Sequence, residues 1–161
     1  SITSHALKVR SRARMCGLQP VPQFKDWAKY SKSQSHEDQQ LYEGFFKGVC
    51  GGAYIEMGAL DGVRYSNSYF FHKSPLKWKG LLIEAIPANF AQLKDNRKDD
   101  ELVHAAVCKN EQEVHIVEGT NNKTSAVTGI LEFMPPGFKE RWWKDLKDAS
   151  IDNLPKVKCR S

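Results

Sequence analysis

Five residues have the types and spacing of a ligand site: Glu56, Gly58, Asp61, Gly62 and, further along, Glu84. The two glycines remove side chains where a backbone must turn sharply and a ligand must come close. Glu56 and Asp61 put two acids at that turn, where they repel a pyrophosphate. They suit a ligand with a cationic end, such as the amino group and sulfonium of S-adenosylmethionine. Glu84 follows the glycine turn by about twenty residues, where an acid accepts hydrogen bonds from both ribose hydroxyls of an adenosine. The spacing Glu56-x-Gly58-x-x-x-Gly62 is not the G-x-G-x-x-G of a dinucleotide site. That counts against a nucleotide-binding oxidoreductase.

Holding these residues together requires a strand, a turn, a helix and a second strand. Ala53 to Met57 is short, β-prone and mostly apolar, as expected of a buried parallel strand. Ser66 or Asn67 caps the next helix, roughly Asn67 to Lys73, whose early N–H groups point back toward the site. Tyr69, Phe70 and Phe71 make that helix apolar, and Pro75 stops it. Leu81 to Ile83 is the second strand, ending in Glu84. Pro87 opens a helix reaching Arg97, with Phe90 and Leu93 on its buried side. Leu102 to Cys108 is a third strand. The fold class is α/β, with a parallel sheet and helices on both faces.

Upstream, Ser35-His36-Glu37-Asp38 has the form of a capping box, and Leu41, Phe45 and Val49 form the apolar stripe of the helix it starts, joined by Tyr42 and Phe46. Downstream, Glu113 to Val117 reads as a short strand and Gly119 to Gly129 as a polar loop. Phe138 to Leu146 reads as a helix and Leu154 to Cys159 as a last strand. Trp142 and Trp143 are adjacent and cannot share one helix face.

These blocks resemble an FkbM-type methyltransferase domain, a branch of the class I S-adenosylmethionine-dependent family. The resemblance rests on Ser33-Gln34-Ser35-His36-Glu37-Asp38-Gln39 and on Glu56-Met57-Gly58-Ala59-Leu60-Asp61-Gly62 with Ser66-Asn67-Ser68. Trp78 to Pro87, Asn89-Phe90 and His104 to Cys108 follow in family order. It implies a Rossmann-like class I sheet and S-adenosyl-L-methionine as cofactor. It implies O-methylation of a hydroxyl-bearing small molecule or glycan. The cofactor contacts it implies are Glu56, Gly58, Ala59, Asp61, Gly62, Ser66, Asn67, Glu84, Ala85 and Ala106. Small side chains at Ala105-Ala106-Val107 leave room for a flat adenine ring. Candidates for a general base are His36, Glu37 and His72, and Gln34, Glu37 and Asp38 either reach the ligand or complete the cap. His104 is a ligand, a base or a structural residue.

Two departures stand out. His36 occupies a position where the family has glycine, and the family's later Asp-x-Glu-Gly block is absent. The fourth core strand that carries this block is expected after Ser161. Residues 31–161 are therefore read as the cofactor half of a domain, truncated before that strand, with weak or no catalysis alone and one sheet edge open to self-association. The competing reading is a non-catalytic fragment or pseudoenzyme that binds a nucleoside cofactor or a protein partner.

The composition sets bounds. The chain has 161 residues, 40% apolar and 27% charged, enough for one globular domain. No run approaches the roughly 18 apolar residues of a membrane helix. It begins at Ser1, so any leader or anchor upstream is invisible in the sequence. The net charge is +5, and residues 1–30 form a basic lead-in, expected to be poorly ordered, with Lys8, Arg10, Arg12 and Arg14. That arm is either a solvated tail or an arm for an anionic surface. No aromatic residue interleaves its charges, so a nucleic-acid role is disfavoured. Pro20 and Pro22 predict loop there, with Phe24 and Trp27 placed to dock on the domain. Cys16, Cys50, Cys108 and Cys159 contain no C-x-x-C pair, so no metal site is expected. Their spacing permits disulfides without demanding them, and Cys108 reads as a buried thiol. A cytoplasmic location is favoured, with the sequon Asn122-Lys123-Thr124 as the one sign of a secretory route.

Overall fold

The computed structural model describes residues 13–18, 20–119, 128–144, 146 and 151–161. Most of the polar loop, the sequon, and Lys8, Arg10 and Arg12 lie outside the described residues. The basic lead-in supplies strand β1 (Arg14–Met15), which pairs antiparallel with β2 (Val49–Cys50). It also supplies the helical turn α1 (Phe24–Trp27). Phe24 is buried in an aromatic core with Tyr42, Phe70, Phe71, Leu76 and Trp78, and Trp27 packs against that core.

The central sheet is parallel, in the order β3 (Ala53–Met57), β4 (Lys79–Glu84), β5 (Glu101–His104). Ile55 aligns with Leu81 and Met57 with Ile83; Ile83 in turn aligns with Val103. Lys79 is the only exposed residue of β4, so Gly80 to Glu84 is buried along its length, as a strand covered on both faces must be. A Cβ on Gly80 would meet the Tyr54 ring at 2.0 Å, so glycine lets the neighbouring strand's aromatic ring lie across β4.

β3 differs from its expected burial. Ile55 and Met57 are 63% and 65% exposed. Lys79 N–H bonds to Gly52 O and Gly58 N–H to Ile83 O. This alternation turns the main-chain groups of Tyr54 and Glu56 toward β4 and those of Ala53, Ile55 and Met57 outward. No described strand pairs with that outer edge. The apolar composition of Ala53 to Met57 carries no information on how many layers cover the strand.

The helix after the Ser33–Gln39 block also departs from expectation. Helix α2 (Glu37–Leu41) continues as a π-turn over Tyr42–Phe46. Tyr42 is fully buried, whereas Leu41 and Phe45 are exposed, Phe45 at 77%. The wider turn shifts which residues face inward, and Tyr42 gains both an edge contact with Phe70 at 5.3 Å and a hydrogen bond to Pro22 O. Helix α3 (Tyr69–Lys73) buries Phe70 and Phe71, and α4 (Pro87–Asn96) buries Leu93.

The expected third strand, Leu102 to Cys108, is broken at Ala105, whose N–H bonds to Glu84 O. Its second part, β6 (Ala106–Val107), belongs to another sheet. That sheet also holds β7 (Glu113–Val117), β8 (Gly129–Ile130) and β9 (Lys156–Arg160), in the order β6-β9-β7-β8. Helix α5 (Pro136–Trp142) is shorter than expected, and Trp142 and Trp143 are both half-buried.

Cys108 is not a thiol. It is disulfide-bonded to Cys159, and Cys16 is bonded to Cys50, which leaves no free cysteine. The pairs are 51 and 34 residues apart in sequence, and sequence spacing alone carries no information on such closures.

Candidate functional site

The acids and glycines singled out in the sequence converge at the carboxyl ends of β3 and β4. Glu84 is 3% exposed there. Its Oε2 accepts from Leu60 N–H at 2.8 Å and its Oε1 from Ile86 N–H at 2.7 Å. Each carboxylate oxygen has a second acceptor position, so the group can take further hydrogen bonds from a diol. Gly58 and Ala59 both donate their N–H to Ile83 O, which ties the start of the loop to the end of β4. Gly58 has φ +71°, and a Cβ there would meet nothing within 4 Å. Gly62, at φ +79°, is the reverse case: a Cβ would strike Leu93 and Arg97 at 2.5 Å. One glycine therefore faces open space and the other lets α4 close on the loop from behind.

Both turn acids are engaged with the loop itself. Asp61 Oδ1 accepts from Val63 and Arg64 N–H, an Asx-type turn. Glu56 accepts from the Ser66 and Ser68 hydroxyls and from Asn67 N–H. Ser66 Oγ in turn accepts from Tyr69 N–H at the start of α3, whose N-cap position is held by Ser68 and not by the expected Ser66 or Asn67. Thus Glu56, Ser66 and Asn67 set the loop's exit angle. Leu60 and Tyr65 take positive φ, +50° and +61°, unusual for residues with a Cβ.

A buried polar hub behind the loop was not foreseen. Arg97 has no exposed surface. Its guanidinium donates to Asp100 at 2.9 Å, to Gly62 O at 2.8 Å, and to the Tyr54 and Ser68 hydroxyls. Asp100 also accepts from Tyr54 and from Gly80 N–H. Asn96 donates to Asp61 O, adding a second tie from the end of α4 to the loop. Burial pushes the Asp100 carboxyl upward, but His72, the Arg97 charge and Tyr54 together outweigh it and hold it below its usual range. Burial pushes the Tyr54 hydroxyl far upward, with Arg97 opposing and Asp100 reinforcing the shift. In sequence, Arg97-Lys98-Asp99-Asp100 looks like a solvated helix end, and only the i,i+3 placement of Arg97 and Asp100 hinted at a pair.

The three candidate bases are dispersed. His72 is enclosed in this hub, with Nδ1 3.1 Å from Asp100 Oδ2 but off the line of a hydrogen bond. Glu37 accepts from Ser35 N–H, and main-chain hydrogen bonds hold its carboxyl low. His36 takes φ +64° and begins α2. A left-handed backbone favours glycine, and His36 adopts it with a Cβ. A bridge between Ser33 and Tyr65 brings this segment beside the glycine loop. Asp38, fully buried, accepts from the Ser31 and Ser33 hydroxyls and from Lys32 and Gln39 N–H, so it completes the segment's fold. Gln34 is exposed.

Ala85 follows Glu84 directly, and Ala106 opens β6 after the break at Ala105. Ala106 is buried in a cluster with Val114, Ile116, Val157 and Cys159, against which Ala85, Ile86 and Cys108 pack. His104 stacks on Phe90 at 4.7 Å and its Nε2 lies 3.1 Å from Ala85 O, a structural contact. Two cavities share no residue with the loop. One is an apolar groove of about 500 Å³ lined by Ile130, Phe133, Met134 and Phe138, and the other a polar hollow of about 240 Å³ by Glu113, Lys158 and Arg160. Among the described residues, no group of three His, Cys, Asp or Glu is placed to hold a metal, and no helix is long and apolar enough to cross a membrane.

No protein family, curated protein or solved structure matches this chain.

Proposed function

We propose that this chain is the cofactor-binding part of an S-adenosylmethionine-dependent methyltransferase of the FkbM type, with a Rossmann-like sheet, acting on a hydroxyl-bearing small molecule or glycan. The observation that carries this reading is Glu84. It is a carboxylate buried at the end of the central parallel strand, against a loop with an open approach at Gly58. The donor set suits the cofactor. Glu84 has acceptor capacity for two ribose hydroxyls, and half-buried Ala85 offers a small side chain for an adenine face, backed by the cluster that holds Ala106. When bound, the cofactor supplies an electrophilic methyl group. The chain's own residues bind and orient it, and the hub behind the loop keeps that geometry from relaxing.

One observation favours a second reading, binding without turnover. Glu37 accepts from the Ser35 main chain, His72 is enclosed beside Asp100, and His36 sits in the turn that starts α2. None of the three is aimed at the Gly58 approach by a contact in the structure.

Titration calorimetry with S-adenosylhomocysteine, on the chain and on Glu84→Ala, tests the proposal. Micromolar binding weakened by the substitution supports it. No binding by a folded chain overturns it. Binding without methyl transfer to any hydroxyl-bearing acceptor selects the second reading.

A further inference from the structure

The two disulfides carry an inference about where the chain works and what completes its ligand site. All four cysteines in the sequence are paired. One bridge closes the β1–β2 ribbon beside the aromatic core, and the other joins the end of β6 to β9. Proteins of reducing compartments rarely keep every thiol oxidised, while secreted and lumenal proteins commonly do.

The Cys108–Cys159 bridge also touches the candidate site. β6 is two residues long, and β9 is the one described strand it pairs with. Ala106 aligns with Cys159, and Cys108 N–H bonds to Arg160 O. Ala85, Ile86 and Cys108 pack on the cluster that holds Ala106 and Cys159. Ala85, the small residue assigned to the adenine side, thus rests on Ala106 and the cluster that contains this bridge. A two-residue strand has few hydrogen bonds with which to hold that wall alone.

We propose that this protein functions in an oxidising compartment and that its Cys108–Cys159 bridge is a structural part of the nucleoside site. The second half rests on the methyltransferase reading; the first does not. Each bridge forms by thiol–disulfide exchange. A protein dithiol loses two protons and two electrons, and an oxidised low-molecular-weight disulfide is reduced to two thiols. The methyl acceptor is then a molecule of the same compartment.

Two measurements test this. Free thiols are blocked with N-ethylmaleimide in cells of the source organism, and the chain is analysed by mass spectrometry. No alkylation at any of the four cysteines is expected, and a native pool alkylated at Cys108 or Cys159 overturns the proposal. Binding of S-adenosylhomocysteine is then compared for the oxidised chain, a Cys108→Ser/Cys159→Ser variant and a Cys16→Ser/Cys50→Ser variant, with circular dichroism to verify folding. If the released wall is in place in a tenth of molecules, the first variant binds about tenfold more weakly. The second variant is expected to lose thermal stability and keep its affinity. Should the first variant not fold, the Cys16→Ser/Cys50→Ser variant, compared before and after mild reduction of its remaining bridge, gives the same comparison. Equal affinity with and without the bridge overturns its role in the site. No binding by any form removes the methyltransferase reading, while the thiol count still decides the compartment.

Discussion

The main-chain N–H of Leu60 donates to Oε2 of Glu84 at 2.8 Å, joining the glycine loop to the end of β4, 24 residues further along the chain. Glu84 thereby holds the glycine loop as well as presenting acceptors to a ligand. Truncation by Glu84→Ala leaves the Leu60 and Ile86 N–H groups without their partner. Each such orphaned donor costs about 1–3 kcal/mol when water cannot replace the bond. Urea denaturation should show a lower midpoint for Glu84→Ala and a smaller loss for Glu84→Gln, which keeps one acceptor oxygen. An unchanged midpoint for the alanine variant would mean that the carboxylate does not hold the loop.

Among the described residues Arg97 is the largest fully buried side chain, and its guanidinium reaches strand β3, the loop and Asp100 together. Removing one partner of a buried ion pair leaves an uncompensated charge, at a cost of about 3–5 kcal/mol. Arg97→Met should therefore destabilise strongly, and Arg97→Met/Asp100→Asn should recover part of the loss. A double-mutant cycle with no coupling would contradict the pairing.

The depressed Asp100 carboxyl gives a pH dependence of definite sign. Its folded value lies below the ordinary 3.8. The ionised form is thus favoured by folding, and this contribution is fully present above the unfolded value. It is lost as pH falls from there through the lower folded value. Acid titration of stability should show a steeper fall below about pH 4 for the native chain than for Asp100→Asn. Parallel acid limbs would refute the assignment.

His36 pays for its left-handed backbone. The αL conformation costs a residue with a Cβ about 1–2 kcal/mol. Glycine removes that strain but loses about 0.4–1 kcal/mol through a more flexible unfolded chain. A net gain of a few tenths to about 1 kcal/mol is expected for His36→Gly, and none for His36→Ala. Chemical denaturation of the two variants side by side distinguishes strain from a lost side-chain contact.

The parts of the site that were legible in the sequence depend on local rules. Gly58 and Gly62 mark a turn because their backbone needs positive φ, and Glu84 follows an apolar strand at a set distance. The Ser33–Gln39 block announced a helix start, although it did not reveal that Asp38 would turn inward to four donors. Arg97 and Asp100 were hidden because a charged pair at a helix end has the same composition whether it is solvated or buried.

By itself, then, the sequence determined the order of strands and turns around the glycine loop, since hydrophobic period and backbone conformational limits act over a few residues. The tertiary structure alone decided which face of α2 is buried, that β3 is an edge strand of the described sheet, and that Leu102 to Cys108 divides between two sheets. It alone paired Cys16 with Cys50 and Cys108 with Cys159. Each of these depends on which distant surfaces meet. Burial, charge pairing and disulfide closure are properties of the space between segments, and no short window of residues contains that information.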